Sequence, residues 1–561
     1  MPDALPTRLT APDPPPFALL HRGNRAVEVL IGSVVTVDAV ADIPVGPSGS
    51  VALLPFRQLA ERGLPCHDDG TPLRVLVADE RHTVDLESLP HPTSAPVRDA
   101  GFTTTDAAYA DLARRVRDED LGVDVTHCLL RRDFSARLEP GAAVGLFAAL
   151  LRAETGAYWT FAVHDGTRAL VGATPQGQVR LRDGEVVLRP TCGTYRYPPS
   201  GPEEAGLLAF LADRKESDEL TATVDAELAL LCALEPDAIT VDGPLLVPMG
   251  TLAHTACVLR GRGGVDAHRA LAGTMFASTA IGAPLAGALR VIEAREPTGR
   301  GYYGGAVALF EPNGDLDAAT LIRTADLDPS GRLTLSVGAT IGADSDPDAE
   351  AHETHHKVAG LVRALQGPSH ARPAGGGSSA ATRDATEPDH TGTPPPAVPH
   401  SRTGTPAAPR GDVGAPGTTP HPRQVSGGAP VPPSTLRVAE ALARRREEFG
   451  AQWTTPAGPV PDLGPLLVVD LGHPAAWTLA HLARRLGWRA TVVRVADVDP
   501  ARLPTTVLCG PTTDPRSRVA RDRLRAVAER RGCRVHQVDA GFRPDAVRAD
   551  PDALAELLGA R

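Results

Sequence analysis

LIRTADLDPSGRLTLSVGATIGADSDPDAEAHETHHKVAGLVRAL, residues 321–365, combines a strand, a turn and a helix with a concentration of charged side chains. An apolar run ends at Arg323, and a strand-like segment covers residues 332–337. The alternating pattern stops at Gly338, where we expect a turn. A helical pattern then continues to the end of the stretch.

The helix in this stretch carries Glu350, Glu353 and Lys357 at offsets of 0, 3 and 7. This spacing places two carboxylates and an ammonium group on one helix face. Apolar residues between positions 358 and 365 fall on another face, which can be buried. A solvated charged face is the ordinary interpretation of such a helix by itself, so the functional interpretation depends on the rest of the sequence.

Composition excludes several classes of function. The chain has 561 residues, enough for two or three domains, and a net charge of −11 that argues against non-specific nucleic-acid binding. It contains no 18-residue apolar run, so no membrane span is predicted, and no signal peptide is recognisable at the start. Seven scattered cysteines without a CxxC pair indicate a reduced, cytoplasmic protein without a zinc site.

Residues 17–366 alternate strand patterns, turn signals and helices, which predicts one large α+β unit. Residues 302–310, 317–326 and 332–339 have the pattern of three core strands, and residues 204–234 that of one long helix.

The remainder of the chain divides into three parts. Residues 1–16 are predicted to be a disordered leader. Residues 367–434 are dominated by Pro, Gly, Thr, Ser and Ala, cannot bury a core, and are predicted to be a disordered linker. Residues 435–561 alternate strands and helices, which predicts a small parallel α/β domain.

A set of ordered motifs resembles those of chorismate-utilising enzymes, namely anthranilate synthase component I, aminodeoxychorismate synthase and isochorismate synthase. The motifs are DRKESDEL (213–220), LAHT (252–255), MFASTAIGAP (275–284), EPTGRGYYGGAVALF (296–310), IRTADL (322–327), VGATIGADSDPDAE (337–350) and HETHHK (352–357). The resemblance covers residues 17–366. It implies an anthranilate synthase-type β-sandwich with helices as the fold of this unit.

Further motifs narrow the resemblance. PFALLHR, DIPVG, LLPFRQLAERG, CHDDGTPL, PTCGTYRYPPSG and GRGYYGG are most similar to the 2-amino-2-deoxyisochorismate synthases of phenazine-type pathways. The implied reaction is Mg²⁺-dependent amination of chorismate to 2-amino-2-deoxyisochorismate, or onward to anthranilate with release of pyruvate, in secondary metabolism and antibiotic biosynthesis.

The resemblance also implies a magnesium site. Glu219 and Glu353 match the family's metal ligands, and Glu216 and Glu350 lie three residues before them, where they would reach the metal through water. A hard cation such as Mg²⁺ prefers oxygen ligands and keeps several waters. For each glutamate by itself, a solvated surface charge is the alternative interpretation.

The substrate-binding residues implied by the resemblance are Arg323 and Lys357 as carboxylate contacts, with Tyr303, Thr279, Gly193, Thr194, Gly338, Ala339 and Thr340. A guanidinium group offers two parallel hydrogen bonds to a carboxylate. The glycine segments match turns whose backbone N–H groups meet the substrate. His254 matches a histidine near the reacting carbons. Each of these has an ordinary structural alternative: a salt bridge, a core aromatic or a hairpin turn.

Two positions depart from the family pattern. Gln176 stands where relatives carry a glutamate that acts as general acid or base, and an amide cannot donate a proton in that way. Loss of such a group typically reduces the rate by roughly 10² to 10⁴. His127 lies near the position where isochorismate synthases have a lysine that activates water, and it is a candidate surrogate base.

The C-terminal part contains LLVVDLGHPAAWTLAHLARRLG (466–487) and VLCGPTTDPRS (507–517). These segments resemble the first strand and helix and the Gly-Pro turn of class I glutamine amidotransferases, so this part resembles a truncated member of that family. Neither Cys509 nor Cys533 lies in a Gly-x-Cys-x-Gly elbow with a following His-x-Glu, so no glutaminase activity is expected. Ammonia would then be free or supplied by a separate glutaminase. By analogy, the family predicts a homodimer.

Two alternatives to amination remain open from the sequence. The first is a catalytically impaired paralogue that binds chorismate, which Gln176 favours. The second is an isochorismate or salicylate synthase that uses water, with His127 as the base.

Overall fold

A large antiparallel sheet and a small parallel sheet organise the protein. The computed structural model describes residues 4–23, 26–89, 97–122, 125–139, 141–154, 156–198, 200–234, 236, 238–248, 252–366, 436–453, 462–471, 475–512 and 515–538. The predicted disordered linker, residues 367–434, lies outside the described residues. No helix in the described part of the chain combines the length and the apolar character that a membrane crossing requires.

Backbone hydrogen bonds join the strands predicted as a β-sandwich into one antiparallel network of 18 strands within the described residues. They are β1 Phe17–His21, β2 Ala26–Val37, β3 Ser50–Leu54, β4 Leu73–Asp85, β5 Arg98–Phe102, β6 His127–Arg137, β7 Trp159–His164, β8 Ala169–Thr174, β9 Gly177–Arg182, β10 Glu185–Leu188, β11 Thr191–Arg196, β12 Ala238–Pro248, β13 Leu252–Arg262, β14 Gly282–Ala283, β15 Ala306–Phe310, β16 Leu316–Thr320, β17 Thr324–Leu327 and β18 Arg332–Gly342. Together with the helices, this sheet confirms the α+β prediction.

Helices cover the sheet and complete its hydrophobic cores. They are α1 Ala4–Leu9, α2 Asp106–Arg115, α3 Ala143–Ala153, α4 Glu204–Ala212, α5 Arg214–Ala233, α6 Ala267–Thr274, α7 Leu285–Arg295, α8 Pro347–Gln366 and α9 Leu436–Trp453. The apolar stripe of α5, with Leu220, Val224, Leu228 and Leu231 fully buried, joins the largest core. Burial of one apolar face holds such a helix against the sheet.

The prediction of a disordered leader is wrong for residues 4–9, which form α1. Leu9 is buried in the same core as Phe17, and Arg8 forms an ion pair with Glu80 at 3.0 Å. Apolar burial offsets the conformational entropy that so short a helix loses.

The predicted helix 204–234 is two helices. Asp213 has extended backbone angles between α4 and α5. No proline or glycine marks this position, so the sequence pattern continues across the break.

The predicted strand 317–326 is likewise divided, into β16 and β17. Arg323, at the break, has φ of 51°, in the left-handed region that only a few per cent of non-glycine residues occupy. By contrast, β18 is longer than predicted and pairs along its whole length with β6. The turn expected at Gly338 is therefore wrong, because Gly338 lies in mid-strand opposite Arg131.

The C-terminal residues form a parallel sheet in the order β20-β19-β21-β22, which confirms the predicted parallel α/β arrangement for the described residues. Its elements are β19 Gly464–Asp470, α10 Ala475–Arg485, β20 Trp488–Arg494, β21 Thr506–Cys509, α11 Pro515–Arg530 and β22 Arg534–Gln537. Alternate residues of β19 pack in two hydrophobic clusters, one with α10 and one with Leu524 of α11. Helix α9 packs elsewhere, on α4 and β12.

Candidate active site

A cavity of about 170 Å³ brings most of the predicted site residues together. Those that line it are His127, Gln176, Gly193, Thr194, Glu219, His254, Thr279, Tyr303, Arg323, Gly338, Thr340, Glu353 and Lys357. The cavity lies where β11, β13 and β18 meet α5 and α8. Ala339, Glu216 and Glu350 do not line it. The individual roles of these residues stay predictions.

Arg323 supplies positive charge to the cavity. Its backbone adopts the left-handed conformation between β16 and β17, and the residue lines the cavity wall. Burial lowers the pKa of the guanidinium, yet a guanidinium remains charged at neutral pH. No carboxylate of the described residues forms an ion pair with it; Glu154 and Glu353 act on it only at longer range. A half-buried cation at a cavity wall, without a paired carboxylate, favours the binding of an anion.

Lys357 supplies a second positive charge from α8. Its Nζ donates to the backbone carbonyl of Gly338 at 2.6 Å and lies 2.8 Å from Glu353 Oε1. The Glu353–Lys357 pair is the i, i+4 contact expected from the helix spacing. The lysine is therefore fixed between β18 and its own helix, at the cavity wall.

Gly338, Ala339 and Thr340 were predicted to form a turn whose backbone N–H groups bind the substrate, but they lie within β18. The Ala339 N–H donates to the Tyr109 hydroxyl at 3.0 Å, so it is already used within the protein. Glycine is required at 338 for packing: a Cβ there would lie 2.5 Å from the Leu130 carbonyl oxygen and 3.0 Å from the Tyr303 hydroxyl. Burial raises the pKa of Tyr303, which keeps its hydroxyl protonated as a hydrogen-bond donor.

Gly193 lies in β11, at a shift of register against β13, rather than in a separate turn. It has φ of 68° and its carbonyl oxygen is 2.6 Å from His254 Nδ1. A carbonyl can only accept, so Nδ1 carries the proton and Nε2 has the lone pair. Burial lowers the pKa of His254 to about 4, with Arg323 and Lys357 acting in the same direction. The imidazole is therefore a neutral potential base at pH 7.

Gln176 is oriented by Thr279, whose hydroxyl donates to Gln176 Oε1 at 2.7 Å. This leaves the amide NH₂ group as the donor of this side chain. His127, also at the cavity wall, has Nδ1 3.2 Å from the Thr126 hydroxyl, and burial lowers its pKa to about 4. Both histidines of the cavity are thus neutral at pH 7.

The carboxylates predicted as metal ligands separate into two groups. Glu219 of α5 and Glu353 of α8 line the cavity, whereas Glu350 accepts a hydrogen bond from Ser345 at 2.8 Å. Glu216 lies behind Gly193, where its Oε2 would be 2.5 Å from an added Cβ. Within the described ranges, no three His, Cys, Asp or Glu side chains are close enough to hold a metal. Two carboxylates fit Mg²⁺ that takes its other ligands from an anionic substrate and water.

Glu227 was missed by the sequence analysis. It is buried on α5 and accepts hydrogen bonds from the backbone N–H and hydroxyl of Ser278, at 3.0 and 3.1 Å. Ser278 precedes Thr279, so Glu227 supports the turn that orients Gln176. A single glutamate among the apolar residues of the α5 stripe was the signal for it.

Comparisons with known proteins agree with this geometry. A family model described as chorismate binding enzyme matches residues 65–363. A Pseudomonas chlororaphis protein named "Anthranilate synthase, phenazine specific" is 40% identical over 383 residues, covering 64% of this chain and 60% of that protein. Anthranilate synthase component 1 of Haloferax volcanii is 34% identical over 270 residues, covering 46% of this chain and 50% of that protein.

The fold also matches solved structures. The menaquinone-specific isochorismate synthase from Escherichia coli has a TM-score of 0.54 at 18% identity, covering 64% of this chain and 91% of that one. This likeness concerns the fold, and the chain spans 60% of the length of the Pseudomonas chlororaphis relative. The family model covers more than half of the chain. The chain therefore belongs to the chorismate-binding enzyme family.

Proposed function

We propose that this protein catalyses the Mg²⁺-dependent amination of chorismate to 2-amino-2-deoxyisochorismate, or onward to anthranilate with release of pyruvate. In the amination, a C–N bond forms to the ring as ammonia adds, and the ring hydroxyl leaves as water. The naming of the Pseudomonas chlororaphis relative as a phenazine-specific anthranilate synthase supports this choice within the family.

The observation that carries the proposal is the charge arrangement of the cavity. Arg323 and Lys357 line the same space as Glu219 and Glu353. Chorismate has two carboxylates, and a guanidinium without a paired carboxylate is suited to bind one of them through two parallel hydrogen bonds. The other carboxylate would share Mg²⁺ with Glu219 and Glu353. When bound, the ion would neutralise charge on the substrate and fix its orientation.

The neutral His254 imidazole suits the acceptance of a proton from the attacking nitrogen, because Nδ1 donates to Gly193 and Nε2 keeps its lone pair. Gln176 offers a hydrogen bond to the substrate but cannot protonate a leaving hydroxyl. We therefore expect slow turnover, in which the proton comes from another source such as the incoming ammonium ion.

The source of ammonia is proposed to be free ammonia or a separate glutaminase. A glutaminase nucleophile must be an accessible thiolate. Cys509 is buried at the end of β21, and burial raises the pKa of its thiol to about 11. Cys533, half-buried before β22, is the other cysteine of this region. A homodimer remains the expected assembly by family analogy.

Binding of chorismate without turnover is the second candidate function, and the Gln176 amide favours it. A water-using isochorismate or salicylate synthase is the third, since His127 is a neutral base at the cavity wall. The three candidates differ in the mass of the product, or in its absence.

The test is a mass-resolved product assay with the full chain, chorismate, Mg²⁺ and ammonium chloride, for the native protein and Gln176→Glu. We expect an amine product from both, formed roughly 10² to 10⁴ times faster by the variant. The same amide-to-acid change in Gln537→Glu, on β22, is the matched control and should leave the rate unchanged. Chorismate binding detected by calorimetry, without any product in the assay, would support the second candidate. Isochorismate as the product would support the third. Absence of both binding and product would refute the assignment.

A further inference from the structure

Arg445, in α9, forms a link between this helix and the start of the glutamate-bearing helix α5. Its Nη1 donates to the backbone carbonyl of Leu211 at 3.0 Å, and its Nη2 donates to the Ser217 hydroxyl. Leu211 belongs to the last turn of α4 and Ser217 to the first turn of α5. The guanidinium therefore spans the break between the two helices at Asp213.

This contact is buried and supported by packing. Arg445 is 6% exposed, and Val438 and Leu442 of α9 join Leu207, Phe210 and Leu211 of α4 in one hydrophobic cluster. The cluster includes Ala253, the neighbour of His254. Helix α9 is thus an integral part of the chorismate-binding unit, although it follows the predicted linker in the sequence.

The position of Ser217 makes this contact relevant to the site. Ser217 lies directly after Glu216 and two residues before Glu219, which lines the cavity. The last carbonyls of a helix lack partners within the helix, so a donor from another segment fixes the end of α4. The same side chain holds the first turn of α5. Removing it would free the break at Asp213 and let the first turn of α5 move.

We propose that Arg445 is a positioning residue for the metal site, acting through the α4–α5 break on the orientation of Glu219. This rests on the proposed function for the role of Glu219 as a Mg²⁺ ligand. It assigns the residues after the predicted linker a part in the chorismate chemistry that does not require glutaminase activity. The planar fork of arginine matters here, because it reaches two acceptors on two helices.

The test compares Arg445→Ala and Arg445→Lys with two controls on the same helix. Arg446→Ala removes a neighbouring guanidinium that donates to the Pro244 carbonyl of β12, at 3.1 Å and away from the break. Leu442→Ala loosens the packing of α9 without removing the link. The first readout is backbone amide exchange in residues 213–220 without ligand. The second is the Mg²⁺ concentration for half-maximal turnover, or for half-maximal chorismate binding if turnover is absent.

We expect Arg445→Ala to speed exchange in residues 213–220 and to raise the required Mg²⁺ concentration by up to about tenfold. This is the lower end of the effect of losing a group that contacts a metal ligand directly, because Arg445 acts on Glu219 only through Ser217 and the α4–α5 break. Arg445→Lys should fall between Arg445→Ala and the native protein, and Arg446→Ala should change neither readout. The proposal would be overturned if amide exchange in residues 213–220 were as slow in Arg445→Ala as in the native protein. It would also be overturned if Arg445→Ala and Leu442→Ala had equal effects on both readouts. If the native protein neither binds nor converts chorismate, the proposed function fails, while the exchange readout still decides whether Arg445 orders α5.

Discussion

Replacement of Glu227 by glutamine is expected to remove a pH-dependent loss of stability. Glu227 is 3% exposed, and burial raises the pKa of its carboxyl from 4.5 to about 7. The two hydrogen bonds from Ser278 and the charge of Arg62 oppose this rise without cancelling it. A carboxylate is therefore costly at this position, while a neutral side chain of the same shape is not.

The size of the effect follows from the pKa difference. A rise from 4.5 to about 7 corresponds to a free energy on the order of 3 kcal/mol. Below pH 4.5 the carboxyl is protonated in the folded and the unfolded chain, and its contribution to stability is fully present. Between pH 4.5 and about 7 the unfolded chain loses the proton first, so the folded state loses stability. Above about pH 7 the loss is complete.

The assay is urea unfolding of the native protein and Glu227→Gln at pH 5 and pH 8. Glutamine keeps the acceptor for Ser278, and the native protein should lose about 2 to 3 kcal/mol more than the variant between the two pH values. Glu87→Gln removes an exposed carboxylate and should follow the native profile. Parallel profiles for the native protein and Glu227→Gln would show that Glu227 is not held protonated, and the reasoning would be wrong.

Two further substitutions test the cavity wall. Arg323→Lys keeps the positive charge but loses the two parallel N–H donors of the guanidinium, and should weaken chorismate binding roughly tenfold or more, as loss of one charge-assisted hydrogen bond does. Calorimetry measures the affinity, with the exposed Arg182→Lys as control. Unchanged affinity in Arg323→Lys would exclude Arg323 as the carboxylate contact. Gly338→Ala should destabilise the protein by about 1–3 kcal/mol through overpacking against Leu130 and Tyr303. Gly342→Ala, in the same strand with no atom within 4 Å of the added Cβ, is its control in thermal unfolding, and equal effects would contradict the packing argument.

The sequence predicted the composition of the cavity better than its backbone. Glu219, Arg323 and Lys357 were placed in one site by the resemblance of their motifs to those of chorismate-utilising enzymes, and the structure brings them to one cavity. Gly338 was misplaced because glycine marks both turns and close packing inside a sheet, and the atoms that crowd it, the Leu130 carbonyl oxygen and the Tyr303 hydroxyl, come from distant parts of the sequence.

Long-range contacts explain what the sequence did not reveal. The break between α4 and α5 at Asp213 has no local sequence signal. The contact that bridges it comes from Arg445, more than 200 residues later in the sequence, which donates hydrogen bonds to both helices. The short helix α1 depends in the same way on the core that Leu9 enters. Local propensity decides neither feature, because tertiary contacts outweigh it.

Helix α5 also limits how the length of this protein can change. Glu219 and Glu227 lie eight residues apart on it, a rise of about 12 Å, with one directed to the cavity and the other to Ser278. An inserted or deleted residue between them would rotate one end by about 100° relative to the other. A substitution within this segment leaves the angle between its two ends unchanged, whereas an insertion or deletion would disconnect the two ends of the site in a single step.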